Sequence, residues 1–138
     1  MKKLILLSII TIFAALPAFA KRDDNVMLRS GQQKTVGKIT VKFLYVDSDS
    51  RCPINARCIW AGNARVKISV SKGRRHETFE LNSTLDPRVV TFEGYDIKFV
   101  DLTPHPGEEN MPADAPVRKG QPKIAVTKPG LTLSITKH

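Results

Sequence analysis

Arg65-Val66-Lys67-Ile68-Ser69-Val70-Ser71-Lys72-Gly73-Arg74-Arg75-His76-Glu77-Thr78-Phe79-Glu80-Leu81 reads as one β-hairpin. Val66, Ile68 and Val70 recur at period two with charged or hydroxyl side chains between them, the pattern of a half-buried strand. Their β-branched side chains favour extended backbone. Lys72-Gly73-Arg74 supplies the turn, and the chain returns through Phe79 and Leu81. The tip is basic, because Lys72, Arg74, Arg75 and His76 all fall on it.

The same alternation recurs on both sides. Upstream, Ile39, Val41, Phe43 and Tyr45 share one predicted inward face of a strand that ends at Val46. Downstream, Asp86-Pro87 marks a turn before Val89–Phe92, and Glu93-Gly94 separates that run from residues 95–102, where Tyr95, Ile97 and Phe99 alternate with polar neighbours. A closing hairpin is predicted from residues 124–127 and 131–136 across Lys128-Pro129-Gly130. No long helical periodicity and no internal repeat interrupts the pattern. The fold class is therefore all-β: a single small β-sandwich, or a partly open barrel, of about seven or eight mostly antiparallel strands. Within 103–122 the alternation stops, since Pro104, Pro106, Pro112, Pro116 and Pro122 remove too many backbone donors for a central strand. A loop of that length in a compact domain is either functional or mobile.

Residues 47–62 hold both cysteines and the one tryptophan. In an oxidising compartment Cys52 and Cys58 would pair, given a turn that brings their Cα atoms within roughly 4.4–6.8 Å. Pro53 and Asn55 suit such a turn. Asp47, Asp49 and Ser50 can bond nearby backbone amides as the preceding strand ends. Trp60 is expected to cover the disulfide with its indole. In the alternative reading Trp60 and Arg57 stand exposed as a binding tip. Ala61-Gly62 allows a tight bend before the next strand.

Residues 1–20 carry Lys2 and Lys3, an apolar run over 4–16 and Ala18-Phe19-Ala20, the three regions of a secretory signal cleaved after Ala20. The run is too short to span a bilayer, so no membrane span is expected in the mature chain. Residues 21–138 then form the single β domain, with its long proline-rich loop at 103–122. The whole chain has a formal net charge of +9, of which the leader carries two. A soluble, basic, periplasmic or secreted protein is expected.

The run from Asp49-Ser50-Arg51-Cys52-Pro53 through Cys58-Ile59-Trp60-Ala61-Gly62 resembles a motif of uncharacterised exported bacterial domains, and the likeness extends to about Val70. It has weaker echoes in 79–84 and 94–104. The resemblance implies one secreted or periplasmic domain with Cys52 and Cys58 paired, and it brings no activity or site with it.

Residue spacing offers little chemistry. His76, His105 and His138 show no ligand spacing, and paired thiols remove the softest donors, so neither metal nor cofactor is expected. Ser50 has no cue for a nucleophile elbow or a partnered histidine, and Asp47 with Asp49 fits turn capping better than acid–base work. The reading that follows is a non-catalytic exported module with a binding or structural role at the cell envelope, its partner a protein or an anionic envelope component. Candidate contact residues are Arg51, Arg57 and Trp60 around the clip and Arg74, Arg75 and His76 on the hairpin tip. Nucleic acid is not an expected partner, because no basic run is interleaved with stacking aromatics. Two other readings stand: a hydrolase with a site between the 103–122 loop and the 47–51 turn, and a protease-inhibitor-like module presenting the Cys52–Cys58 loop.

Overall fold

The structure, a computed structural model, describes residues 23–108 and 128–138. The expected leader, the 124–127 half of the expected closing hairpin and most of the 103–122 stretch lie outside the described residues. Eight strands follow in chain order: β1 Asp23–Arg29, β2 Gln33–Val36, β3 Ile39–Asp49, β4 Ala64–Lys72, β5 Arg75–Asn82, β6 Val89–Phe92, β7 Tyr95–Thr103 and β8 Gly130–Lys137. They form two four-stranded antiparallel sheets, β1-β8-β7-β6 and β2-β3-β4-β5. Apart from β1 with β8, each paired strand bonds its neighbour in sequence. The chain is thus an up-and-down meander whose first and last strands pair, folded at the β1/β2 and β5/β6 corners into two stacked sheets, a sandwich or flattened, partly open barrel.

Period-two patterning builds the interior. Val66, Ile68 and Val70 of β4 are fully buried and share one core cluster with Ile97 and Phe99 of β7 and Leu131, Leu133 and Ile135 of β8. The intervening β4 residues face solvent and pair across strands, as in Lys67 Nζ to Glu80 Oε2 at 2.8 Å. The β5/β6 corner, which no ladder closes, is sealed by Phe79 against Phe92, ring centroids 6.0 Å apart and near-perpendicular. Outside that contact Glu93 takes ion pairs from both Lys72 and Arg75. At the same end of the barrel the Tyr95 hydroxyl accepts the Lys38 amide at 3.0 Å, tying β7 to the β2–β3 turn of the other sheet.

Three expectations are corrected. Tyr45 is 52% exposed and does not continue the inward face of Ile39, Val41 and Phe43. Pairing steps from Phe43 opposite Ile68 to Tyr45 opposite Lys67, so Leu44 is an extra residue whose bulge turns the side chains over. Second, β3 does not stop at Val46; it absorbs another bulge at Asp47 and runs to Asp49. Third, β8 is not one arm of a two-stranded closing hairpin: β1 bonds one of its edges and β7 the other. In addition, β1 and β2 lie where the sequence pattern offers no strand. β1 shows only Val26 and Leu28 buried, and β2 is a four-residue edge with no fully buried side chain. No helix among the described residues is long and apolar enough to cross a membrane.

Candidate functional site

Meander topology puts the long connections at one end of the barrel. There the 50–63 loop, the 83–88 loop and the start of the 104–129 connection emerge together, opposite the Lys72–Arg75 hairpin tip. This end is called the clip end below. Cys52 and Cys58 are bonded, with Cα atoms 5.8 Å apart.

Arg51 holds the clip to the body. Its guanidinium donates Nε to Asp49 Oδ1 at 2.9 Å and Nη2 to Asp49 Oδ2 at 2.8 Å. It also donates Nη1 to the Leu102 carbonyl at 2.6 Å and Nη2 to the Pro104 carbonyl at 3.0 Å. The fork geometry of arginine lets one side chain serve a carboxylate and two carbonyls at once. Its side chain is only 9% exposed, so Arg51, expected among the contact residues, is an internal tether. The Ile54 amide adds a backbone bond to the Pro106 carbonyl at 3.0 Å, docking the disulfide loop on the 104–108 segment.

Asn63 plays the same part on the other side. Its Oδ1 accepts the amides of Ser83, Thr84 and Leu85 at 3.1, 3.1 and 3.4 Å, and its Nδ2 donates to Oδ1 of the buried Asn82 at 2.8 Å. Two polar side chains therefore fix three connections. No buried side-chain polar atom among the described residues lacks a partner.

The hydrolase reading expects a site where the 47–51 turn meets the loop after β7, and the structure does bring Asp49, Arg51, Asp101 and His105 together. Their geometry is that of a tether. His105 Nε2 lies 3.3 Å from Asp101, but its Nδ1 faces Arg51 Nη1 at 3.4 Å, a cation where a base would need its substrate. No hydroxyl or thiol among the described residues bonds that ring. A neighbouring groove of about 340 Å³, lined by Val46, Leu102, Thr103 and Pro104 among others, contains one ionisable side chain, Asp49, already held by Arg51. No group of three or more His, Cys, Asp or Glu among the described residues could hold a metal ion.

Partial burial pushes the Asp49 carboxyl up, but the Arg51 side-chain and backbone hydrogen bonds outweigh it and leave the group below its ordinary range. A lowered folded value means that the tether contributes fully above the unfolded carboxylate value of about 3.9 and is lost as pH falls through the lowered one. Between about pH 6 and about pH 3 the wild type should lose more stability than Asp49→Asn, read as paired urea midpoints. Equal losses would remove Asp49 from the tether. Breaking the disulfide with Cys52→Ser and Cys58→Ser together should cost about 2 kcal/mol, the entropy of a short closed loop, and leave the β circular dichroism intact. An unchanged melting temperature would contradict a structural clip.

Trp60 does not cover the disulfide. It is 80% exposed, Ile59 before it is 89% exposed, and Cys58 itself lies open to solvent. The loop's inward partners are backbone and arginine, which leaves the indole outside. Ile54 and Leu85, at 49% and 61% exposure, stand on the same end. Leu85 is tied to the clip through its amide bond to Asn63 and through Thr84 Oγ1 on the Gly62 carbonyl at 2.6 Å. Of the six candidate contact residues, then, Arg57 and Trp60 lie exposed at the clip end, Arg51 is half-buried beneath it with its side chain turned inward, and Arg74, Arg75 and His76 lie exposed at the opposite end. Ile54, Ile59, Leu85 and Asn63 were not singled out by sequence. Ile59 beside Trp60 was the available signal, two large apolar residues in a row within a loop. Comparison with family models, with curated proteins and with solved structures gives no match for this chain.

Proposed function

We propose that this chain is a non-catalytic, exported β-sandwich module that binds at the cell envelope and makes its contact through the clip end. The observation that carries the reading is Ile59 and Trp60 almost fully exposed on a loop held by a disulfide and by Arg51. Leaving a large apolar side chain in water forgoes about 1.5–3 kcal/mol of burial, and tryptophan and arginine dominate interface hot spots. Such a loop, already ordered by its own bonds, loses little freedom when a partner covers it. The apolar leader and the disulfide support an oxidising, extracytoplasmic setting.

The test is capture from the native envelope fraction by the purified, disulfide-bonded protein, run beside Ile59→Ser/Trp60→Ser and beside Arg74→Ser/Arg75→Ser. A component retained by the wild type and by the hairpin-tip variant, and lost from the clip variant, is the expected result. Equal retention by all three would place the contact elsewhere and overturn the reading.

A further inference from the structure

The clip end carries more than exposed apolar side chains. Its carboxylates are largely engaged within the protein: Asp47 with Arg65, Asp49 with Arg51, Asp101 with His105, and Glu108 with the His105 amide. Beyond Arg51 and Arg65, four of its cations are not. Arg57 on the clip, Arg88 on the 83–88 loop, and Arg29 and Lys128 where β1 ends beside β8 are exposed and form no ion pair among the described residues. Among the described residues, Asp86 is the one acidic residue at this end whose side chain has no partner. Among the described residues, four unpaired cations thus share the end that exposes Ile54, Ile59, Trp60 and Leu85, within a chain of net charge +9.

From this juxtaposition we infer that the clip end docks on an anionic phospholipid bilayer, with Ile59 and Trp60 entering the headgroup region and Arg57, Arg88, Arg29 and Lys128 lying against lipid phosphates. The inference rests on the clip end being the contact surface and names its partner. An indole belongs at that depth, where its ring is apolar on its faces and its N–H can stay hydrated. Basic residues near an anionic leaflet each add attraction, falling off within a Debye length. A protein groove would take the apolar tip equally well, but it would not call for cations distributed over three separate connections around that tip. The binding is peripheral, requires no spanning segment, and weakens with salt.

Trp60 is the sole tryptophan, so its fluorescence reports on the tip alone. The experiment mixes the purified, disulfide-bonded protein with vesicles of equimolar phosphatidylcholine and phosphatidylglycerol, and separately with pure phosphatidylcholine vesicles. The expected result is co-sedimentation with the anionic vesicles, a blue shift of the emission and protection from a soluble quencher, all much weaker with the zwitterionic ones. Ile59→Ser/Trp60→Ser should lower vesicle affinity at least about tenfold, since two apolar side chains no longer leave water. Arg57→Ser/Arg88→Ser should lower it about tenfold at low salt and leave the shift at saturating lipid unchanged. Quenching of the wild type needs no variant and decides the matter even if a variant folds poorly.

An unshifted, fully quenchable Trp60 with anionic vesicles present overturns the inference, whether or not the protein sediments. If that occurs while envelope capture still depends on Ile59 and Trp60, the partner is a protein and the contact surface survives. If capture is also indifferent to them, both readings fall.

Discussion

Gly62→Ala is expected to cost about 4 kcal/mol, measured as the shift of the urea midpoint with the disulfide intact. Gly62 has φ +65°, and a Cβ there would stand 1.9 Å from the Ser50 carbonyl oxygen and 2.9 Å from the Arg51 Cα. Neither neighbour can step aside. The Ser50 amide donates to the Asn63 carbonyl at 2.8 Å, and the Ser50 hydroxyl both donates to that carbonyl and accepts the Asn63 amide. Ser50 leads into Arg51, so displacement would carry the tether with it. Gly73→Ala isolates the conformational part of the cost: φ is +59° there and a Cβ would meet nothing within 4 Å. That variant should lose only about 1 kcal/mol. Equal losses at the two positions would mean that the close approach at Ser50 carries no energy.

Arg51→Ala should cost about 2–3 kcal/mol, the range for removing a charged donor from a part-buried ion pair and leaving backbone acceptors without their partner. Its loss strands the Leu102 and Pro104 carbonyls together with the Asp49 carboxylate. The effect should be local in a way that the alanine at Gly62 is not. The Ile54 amide, bonded to Pro106, should lose hydrogen-exchange protection, while amides of β4 and β8 in the core keep theirs relative to global stability. Arg51→Lys should recover only part of the loss, because an ammonium is a single point and cannot grip a carboxylate with both nitrogens while reaching two carbonyls. Full recovery by lysine would reduce the tether to a simple charge.

The contrast between elements shows what period-two reading can reach. β4 and β5 were legible from end to end because their alternation is unbroken from Val66 to the turn and they pair with each other across Gly73-Arg74. β7 was legible for the same reason, up to the bulge at Val100. Tyr45 was misread because one inserted residue, Leu44, reverses the faces, and a bulge leaves no mark on the hydrophobic pattern. β1 and β2 carry too little pattern to read, since β1 buries only Val26 and Leu28 and β2 buries no side chain fully. At the site, the pairing of Cys52 with Cys58 was accessible from spacing and compartment. The roles of Arg51 and Trp60 were not. Both follow from contacts made by the clip with Leu102, Pro104 and Pro106, more than fifty residues away in sequence, which no local spacing encodes.

Pairing of the first strand with the last also sets how the molecule can be tethered. Asp23 sits opposite Thr136, so the beginning of β1 and the finish of β8 leave the barrel side by side, on the face that also bears the Lys72–Arg75 turn. A linker, fusion partner or immobilising tag joined at His138 therefore projects away from Ile59 and Trp60. Coupled to a sensor chip through that residue, the domain stands with its tryptophan pointing into the flowing sample.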